Sequence, residues 1–360
     1  MLRQTRLSVS TFLYSVLFLI LTVLLLTHSS IGLSYAWTGL ELWLTKMIPA
    51  LFPFMVLSGI MIRLRLTESF SALLYPFLHC LLRIRKNVCY ALIMGFLCGF
   101  PMGARVTADL LERKLITEQE ARFLLAFCNN IGPVYFCGFV LPLLERKLVW
   151  PYFFGMYGLP FLYGAWLRYG RFRREVSSGG RVSPWKLAST GELISTGKPA
   201  SSAETSSAWD AVPRPAVLPR HSSARSRKPG VSLLSELDAA VSSAVQNMLL
   251  LGGYMVFFNL LNIIPHVLLR SVPSAEGLAL LISPVLEITG GLNRLGTVFP
   301  LFSLLLLPFG GLSCAAQTYS MIKHTSLSMR TYLFHKLFLT LLTAAYYLGW
   351  FFLSPSTFLL

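Results

Sequence analysis

Long apolar runs, rather than an amphipathic periodicity, dominate the pattern of hydrophobic and polar positions along this chain. One of them covers residues 11–27, TFLYSVLFLILTVLLLT, and most of the others are also apolar on every side. A helix that is apolar all round lies in a membrane or in the core of a large protein, and a bilayer crossing takes about 20 such residues. The pattern therefore predicts an all-α polytopic membrane protein.

Two apolar segments in the first half do not fit a simple crossing. Residues 70–82 are short, contain Pro76 and have basic residues at both ends, so we expect a re-entrant or interfacial segment. Residues 87–105, NVCYALIMGFLCGFPMGAR, also lie between basic residues and carry glycines and a proline that break a helix. A broken backbone at membrane depth needs protein or a watery cavity around it. This segment is predicted to dip into the membrane and return.

The second half of the chain repeats this order of elements. A span, a short proline-broken segment, a Gly/Pro-broken segment and a final span are predicted at 239–264, 278–288, 298–321 and 330–352. The two broken segments are predicted to lie between outside loops, so each is expected to dip into the membrane and return. A shift of 211 residues aligns Gly99 with Gly310 and Thr117 with Ser328. One copy is entered from inside and the other from outside. We therefore predict two inverted-topology repeats with broken or re-entrant helices, an architecture of many secondary transporters.

Basic residues decide the predicted orientation. Arg3 and Arg6 precede the first apolar run, which is interpreted as an uncleaved anchor with a cytoplasmic N-terminus. Much of the +16 net charge lies in a Ser-, Gly- and Pro-rich segment that cannot bury a core. The charge then reflects topology, so lipid rather than nucleic acid is the expected partner. The predicted parts are an anchor at 1–35, a first repeat plus an extra span at 36–167, a disordered basic linker at 168–235 and a second repeat at 236–360, with both termini and the linker cytoplasmic.

Polar residues at the broken segments are the candidates for a solute site, because half-helix ends and free backbone groups meet polar solutes near the midplane of such folds. The candidate substrate-binding residues are Gly99, Pro101, Gly103, Asn129, Asn130, Glu287, Thr289, Ser313 and Gln317. The asparagine amides suit a neutral polar solute, with packing between helices as the alternative. A carboxylate in a membrane is functional by default, unless Glu287 lies among the headgroups. Asn130 and Gln317 are expected to face one cavity.

No catalytic motif accompanies these residues. HExxH, GxSxG, P-loop and Rossmann patterns are missing, and the cysteines and histidines lack metal-ligand spacing. We therefore expect no enzyme, no cofactor and no metal site. A membrane transferase with Glu287 or Asp109 as its base is the enzyme alternative. Arg105 and Asp109 are predicted to form a structural ion pair, and Thr117 and Glu120 a capping box.

The motifs also carry a resemblance to a known family. GFPMGARVTADLLERKLITEQEARFLLAFCNNIGP, with LEITGGL and FGGLSCAAQTYSMI downstream, resembles YlbJ-type sporulation integral membrane proteins. These are part of the wider nucleoside-recognition, or Gate-domain, family, and are more distantly similar to concentrative nucleoside transporters and ferrous-iron transporters. The resemblance implies a multi-pass cell-membrane protein of sporulation, with Gate-like, transporter- or permease-like repeats that move or bind a small polar solute at the midplane. A non-transporting membrane scaffold in a sporulation assembly is the alternative. Further copies of the chain or other sporulation membrane proteins are the implied protein partners.

Overall fold

The computed structural model describes residues 9–145, 150–172, 233–270, 276–295 and 298–354, and these ranges contain helices and no strands. The predicted all-α fold is confirmed. The first half contains α1 Val9–Thr27, α2 Ser29–Arg63, α3 Thr67–Ser71, α4 Tyr75–Leu82, α5 Lys86–Cys98, α6 Met102–Glu112, α7 Glu118–Leu125, α8 Pro133–Leu143 and α9 150–169. The second half contains α10 Leu233–Leu260, α11 Ile263–Arg270, α12 Glu276–Leu286, α13 Ile288–Leu295, α14 Pro300–Leu306, α15 Gly311–Ile322 and α16 Met329–Leu353. Most of the predicted linker, residues 173–232, lies outside the described residues.

Several described helices have the length and composition of membrane spans. They are the stretches Ser29–Arg63, Leu233–Arg270, Pro300–Ile322 and Met329–Leu353. Large apolar side chains such as Phe338, Leu341 and Phe352 on the last of them face outward. Outward-facing apolar side chains are favourable in lipid, because they have no contact with water there.

The predicted segment 87–105 forms part of a hairpin, which we call hairpin 1 (α5 and α6). Its arms pack against each other. Its tip, residues 99–101, is called tip 1. Tip 1 begins at Gly99 with φ +79° and ψ −158°, a backbone conformation that is open essentially to glycine alone. The return of the chain predicted from the glycines and proline is therefore present, and its position in the membrane stays a prediction. The predicted capping box follows it, because the Thr117 side chain accepts from Glu120 N and the Glu120 carboxylate from Thr117 N.

The second re-entrant element, hairpin 2 (α12 and α13), differs from the prediction. Its arms also pack against each other, and a Cβ added at Gly291 would lie only 2.2 Å from Pro284 Cα. The tip is Glu287. By contrast, α14 packs on α13 and α16, and α15 on α6 and α10, rather than on each other. The prediction that 298–321 dips back is thus wrong, because Pro300–Ile322 is a broken helix with the length of a span.

This arrangement changes the correspondence between the two halves. Each half has a long helix, a hairpin, a helix interrupted in its middle and a final helix. The interruptions are break 1, residues 126–132, and break 2, residues 307–310. The 211-residue shift paired Gly99 with Gly310, whereas in the structure Gly99 is a hairpin tip and Gly310 lies in break 2. Helix α9, predicted to be an extra span, has the place in the first half that α16 has in the second.

Long helices at equivalent places run antiparallel. Gly39 and Gly59 of α2 lie against Met255 and Ala240 of α10, so the sequence numbers run in opposite directions along the contact. Antiparallel packing of equivalent helices is what an inverted repeat requires. The inverted repeat itself stays a prediction.

The final helices of the two halves are also antiparallel. Tyr152 and Tyr163 of α9 pack on Tyr347 and Phe338 of α16, with ring centroids 6.4 and 5.0 Å apart. Leu353 therefore lies at the opposite end of the bundle from the end of α9. The prediction that both termini and the linker lie on the cytoplasmic side of the membrane stays a prediction.

Candidate functional site

The hairpin tips and the helix breaks meet in the middle of the bundle. A Cβ added at Gly99 of tip 1 would lie 2.2 Å from Gly132 N in break 1. In the second half, a Cβ at Gly311, just after break 2, would lie 3.0 Å from the Pro284 carbonyl oxygen of hairpin 2. Each interrupted backbone is thus enclosed by protein, which is the condition for an interruption at membrane depth.

A cavity of about 40 Å³ lies between the two hairpins, beside α2 and α10. Its lining from the first half includes Phe100, Ile131, Gly132 and Tyr135, and from the second half Glu287, Thr289, Cys314 and Gln317. A single water needs about 10–15 Å³ of such volume. The cavity therefore has room for a few waters or an equally small solute, and both halves contribute polar groups to it.

Lys336 of α16 is buried beside this cavity. Its Nζ donates to the backbone oxygen of Asn129 at 2.6 Å and to Asn130 Oδ1 at 3.1 Å. The ammonium also lies 4.1 Å from the centroid of the Phe100 ring, a cation–π distance. Break 1, tip 1 and the second half are therefore joined by one cationic side chain, and we call these four residues the lysine cage.

The Asn129 side chain joins the two halves directly. Its Nδ2 donates to Thr318 Oγ1 at 3.0 Å and to Tyr332 OH at 3.1 Å. Its Oδ1 accepts from Ala104 N of hairpin 1 at 3.3 Å. This amide is fully engaged with protein, which is the helix-packing role considered from the sequence. The Asn130 amide is also engaged, since its Nδ2 donates to Phe127 O.

Glu287 is buried at tip 2 and caps the returning helix of the hairpin. Its carboxylate accepts from Thr289 N at 3.1 Å and Gly290 N at 2.6 Å, two amides that an N-terminal turn leaves without helical acceptors. It also accepts from Asn259 Nδ2 of α10 at 2.9 Å. With 1% of its surface exposed, the side chain lies inside the protein and not among headgroups.

Arg294 supplies a positive charge close to this carboxylate through a shared neighbour. It donates to Asn259 Oδ1 and to Ser283 Oγ, both at 3.0 Å, and its guanidinium lies 4.6 Å from the centroid of the Tyr35 ring. Tyr135 of α8 completes the cluster by donating to Thr289 Oγ1 at 3.1 Å. Hairpin 2 is thereby attached to both long helices and to the first half.

The structure divides the predicted site residues into three groups. Glu287, Thr289 and Gln317 line the cavity. Asn129 and Asn130 lie at the lysine cage, which shares Phe100 with the lining of the cavity. The remaining residues are Gly99 and Pro101 in tip 1, Gly103 packed on Cys128 O of break 1, and Ser313, which accepts from Gln317 Nε2 at 3.0 Å. Asn130 and Gln317 are both buried in the interior, although only Gln317 lines the cavity.

Several residues of the site were missed from the sequence. They are Phe100, Tyr135, Asn259, Arg294, Tyr332 and Lys336. Lys336 was recognisable in principle, because a basic residue within the apolar run RTYLFHKLFLTLL is costly in a membrane and therefore a candidate for function. Phe100 and Tyr135 are ordinary apolar-run residues, and only their neighbours in three dimensions distinguish them.

A second cavity, of about 50 Å³, lies at the end of the bundle where α2 ends and α10 begins, which we call the basic end. Arg63, Arg105 and Arg113 line it. Arg105 Nε donates to Asp109 at 3.0 Å, which confirms the predicted structural pair. Among the described residues, no group of three or more His, Cys, Asp or Glu is placed to hold a metal ion.

One curated relative connects this geometry to a known protein. The sporulation integral membrane protein YlbJ of Bacillus subtilis (strain 168) is 32% identical to the chain over 132 residues. The resemblance to YlbJ-type proteins is confirmed. The aligned region covers 37% of this chain and 32% of that relative, so the match spans about a third of the YlbJ length. No protein-family profile and no solved structure matches the chain, and the Gate-domain assignment stays a prediction.

Proposed function

We propose that this chain is a transporter-like membrane protein of sporulation that binds a small polar solute between its two hairpins. The observation that carries the proposal is the cavity lined by polar groups of both halves, with Glu287, Thr289 and Gln317 on one side and Tyr135 on the other. Sites of inverted-repeat transporters lie at such an interface and use broken helices. The similarity to the sporulation integral membrane protein YlbJ supports the sporulation and membrane parts of the proposal.

The two hairpins enter the bundle from opposite ends. Hairpin 1 starts near Arg85, whose Nε donates to Glu120 at 2.7 Å at the basic end. Hairpin 2 is attached through Arg294 to Tyr35, near the other end of α2. Each tip covers one side of the cavity. Movement of one hairpin would open the cavity to one side while the other hairpin keeps it closed, which is the geometric requirement of alternating access.

A membrane scaffold is the second candidate function, and the small cavity volume favours it. About 40 Å³ is far below the 300–1,000 Å³ typical of ligand pockets. In a scaffold, the polar groups would hold the broken helices in place, and no solute would bind between them.

A solute screen on the purified protein distinguishes the two functions. We expect one compound among nucleosides, sugars, peptidoglycan precursors and divalent metal ions to raise Tm, because ligands that bind only the folded state stabilise it. Gln317→Ala should abolish that rise because Gln317 lines the cavity. The matched control is Gln119→Ala, at an exposed glutamine, which should keep the rise. A rise that survives Gln317→Ala, or no rise with any compound, would favour the scaffold.

The membrane orientation is a further part of the proposal. The positive-inside rule places the basic end in the cytoplasm, with residue 168 and the linker after it. The antiparallel packing of α9 and α16 supports a location of Leu353 at the opposite, outer side in this proposal. In a variant whose native cysteines are replaced by serine, Ser354→Cys should react with an impermeant maleimide on intact cells, and Gly170→Cys only after permeabilisation. Equal behaviour of the two cysteines would refute this topology.

A further inference from the structure

In break 1, the backbone carbonyl of Asn129 has no helical amide that can donate a hydrogen bond to it. In a continuous helix, the carbonyl of Asn129 would accept from the amide of residue 133, but that residue is proline and has no N–H. The donor that reaches this carbonyl is Lys336 Nζ, at 2.6 Å. The same ammonium donates to the Asn130 amide oxygen and lies over the face of the Phe100 ring.

The three residues of the lysine cage that surround Lys336 have the composition of a site for a monovalent cation. A backbone carbonyl freed by a helix break, an amide oxygen and an aromatic face are all neutral groups that attract positive charge, and freed carbonyls coordinate cations in transporters with broken helices. No carboxylate of the described residues forms an ion pair with Lys336. The groups of the cage that face the Lys336 ammonium are therefore two dipolar oxygens and a ring quadrupole.

We propose that the Lys336 ammonium is a tethered cation, which fills a monovalent-cation site made by tip 1 and break 1. The protein then carries in its own chain the charge that a dissociable ion would otherwise supply beside the solute cavity. This inference deepens the proposed function. Its test measures stability without any solute, so it can succeed or fail independently of the solute screen.

Lys336 and its acceptors belong to different halves of the protein, which gives a physical reason for a cation that is covalently attached to the chain. Lys336 belongs to α16 of the second half, whereas its acceptors belong to the first half, 206 and 207 residues away. A free cation at this position would form no link of its own to α16. A covalently attached cation links break 1 to α16, and its occupancy does not depend on ion concentration. The structure of the cage should therefore be insensitive to the choice of monovalent salt.

Lys336→Ala provides the first test, because it removes the cation and leaves space for n-propylammonium. We expect Tm of the purified variant to fall by several degrees, and n-propylammonium to restore most of the loss. The neutral compound 1-propanol, which has the same size, should restore little. Lys323→Ala, at an exposed lysine, is the control and should leave Tm unchanged with either compound.

Lys336→Met provides a second test that separates charge from volume. Methionine fills much of the same space without a cation, so this variant should be about as unstable as Lys336→Ala and should not respond to n-propylammonium. Because replacing both partners of a buried polar contact by apolar groups is less costly than removing one, the double variant Lys336→Met with Asn130→Leu should melt higher than Lys336→Met alone.

Three results would overturn the proposal. In the first, 1-propanol restores Lys336→Ala as well as n-propylammonium does. In the second, Lys336→Met melts like the wild type, which would make the lysine a packing residue. In the third, wild-type Tm at constant ionic strength differs between NaCl, KCl and choline chloride, which would show a dissociable ion where the tethered one is expected. If Lys336→Ala does not fold, the double variant and the wild-type salt comparison still decide.

Discussion

Gly99→Ala is expected to leave little folded protein. Gly99 has φ +79°, where a side chain adds strain of about 1–3 kcal/mol. The new Cβ would also lie 2.2 Å from Gly132 N, a contact with backbone that no side-chain rotation relieves, and overpacking adds about 1–3 kcal/mol. We therefore expect a loss of about 2–6 kcal/mol of folding free energy, seen as a low yield of monodisperse protein and a lower Tm.

Gly138→Ala is the matched control for that change. Gly138 lies in α8, and a Cβ added there would have no neighbour within 4 Å. Alanine also favours a helix by about 1 kcal/mol over glycine, so Tm should stay the same or rise. Normal yield and Tm of Gly99→Ala would show that tip 1 does not contact break 1 as described.

Glu287→Leu is expected to have a comparably large effect. The change removes the acceptor of Thr289 N, Gly290 N and Asn259 Nδ2 together in a buried place. Each buried donor left without a partner costs about 1–3 kcal/mol, and losing one side of a buried charged contact costs about 3–5 kcal/mol. We expect a loss of about 3–5 kcal/mol, measured as a fall in Tm of the detergent-purified protein.

Glu287→Gln separates the structural role of this carboxylate from a role in solute binding. Glutamine keeps one oxygen acceptor and the shape of the side chain, so we expect the variant to fold with a modest loss of Tm. If the proposed function holds, the Glu287→Gln variant should nevertheless lose the solute-induced rise of Tm. Glu41→Gln, at an exposed glutamate, should change neither quantity. A Glu287→Leu protein as stable as the wild type would contradict the burial and the contacts of tip 2.

A large part of the molecule follows from local patterns in the chain. The apolar runs predict a helical membrane protein because a lipid environment requires internally satisfied backbone. The glycines and proline of GFPMG predict the return of hairpin 1, since they release steric limits and remove a donor at one place. The Thr117–Glu120 capping box and the Arg105–Asp109 pair are also local, as each joins residues within about one helical turn.

The sequence by itself determined the membrane class, the return of the chain in hairpin 1 and most of the candidate polar residues, because these depend on residues that are neighbours in the chain. Only the tertiary structure decided that Glu287 forms the tip of a second hairpin, that Pro300–Ile322 is a broken helix and not a dip, and that α16 runs antiparallel to α9. It also decided that Lys336 meets the carbonyl of Asn129, 207 residues away. A lysine in an apolar run shows that some partner is needed. Which partner it finds depends on how the two halves pack, and no spacing along the chain contains that information.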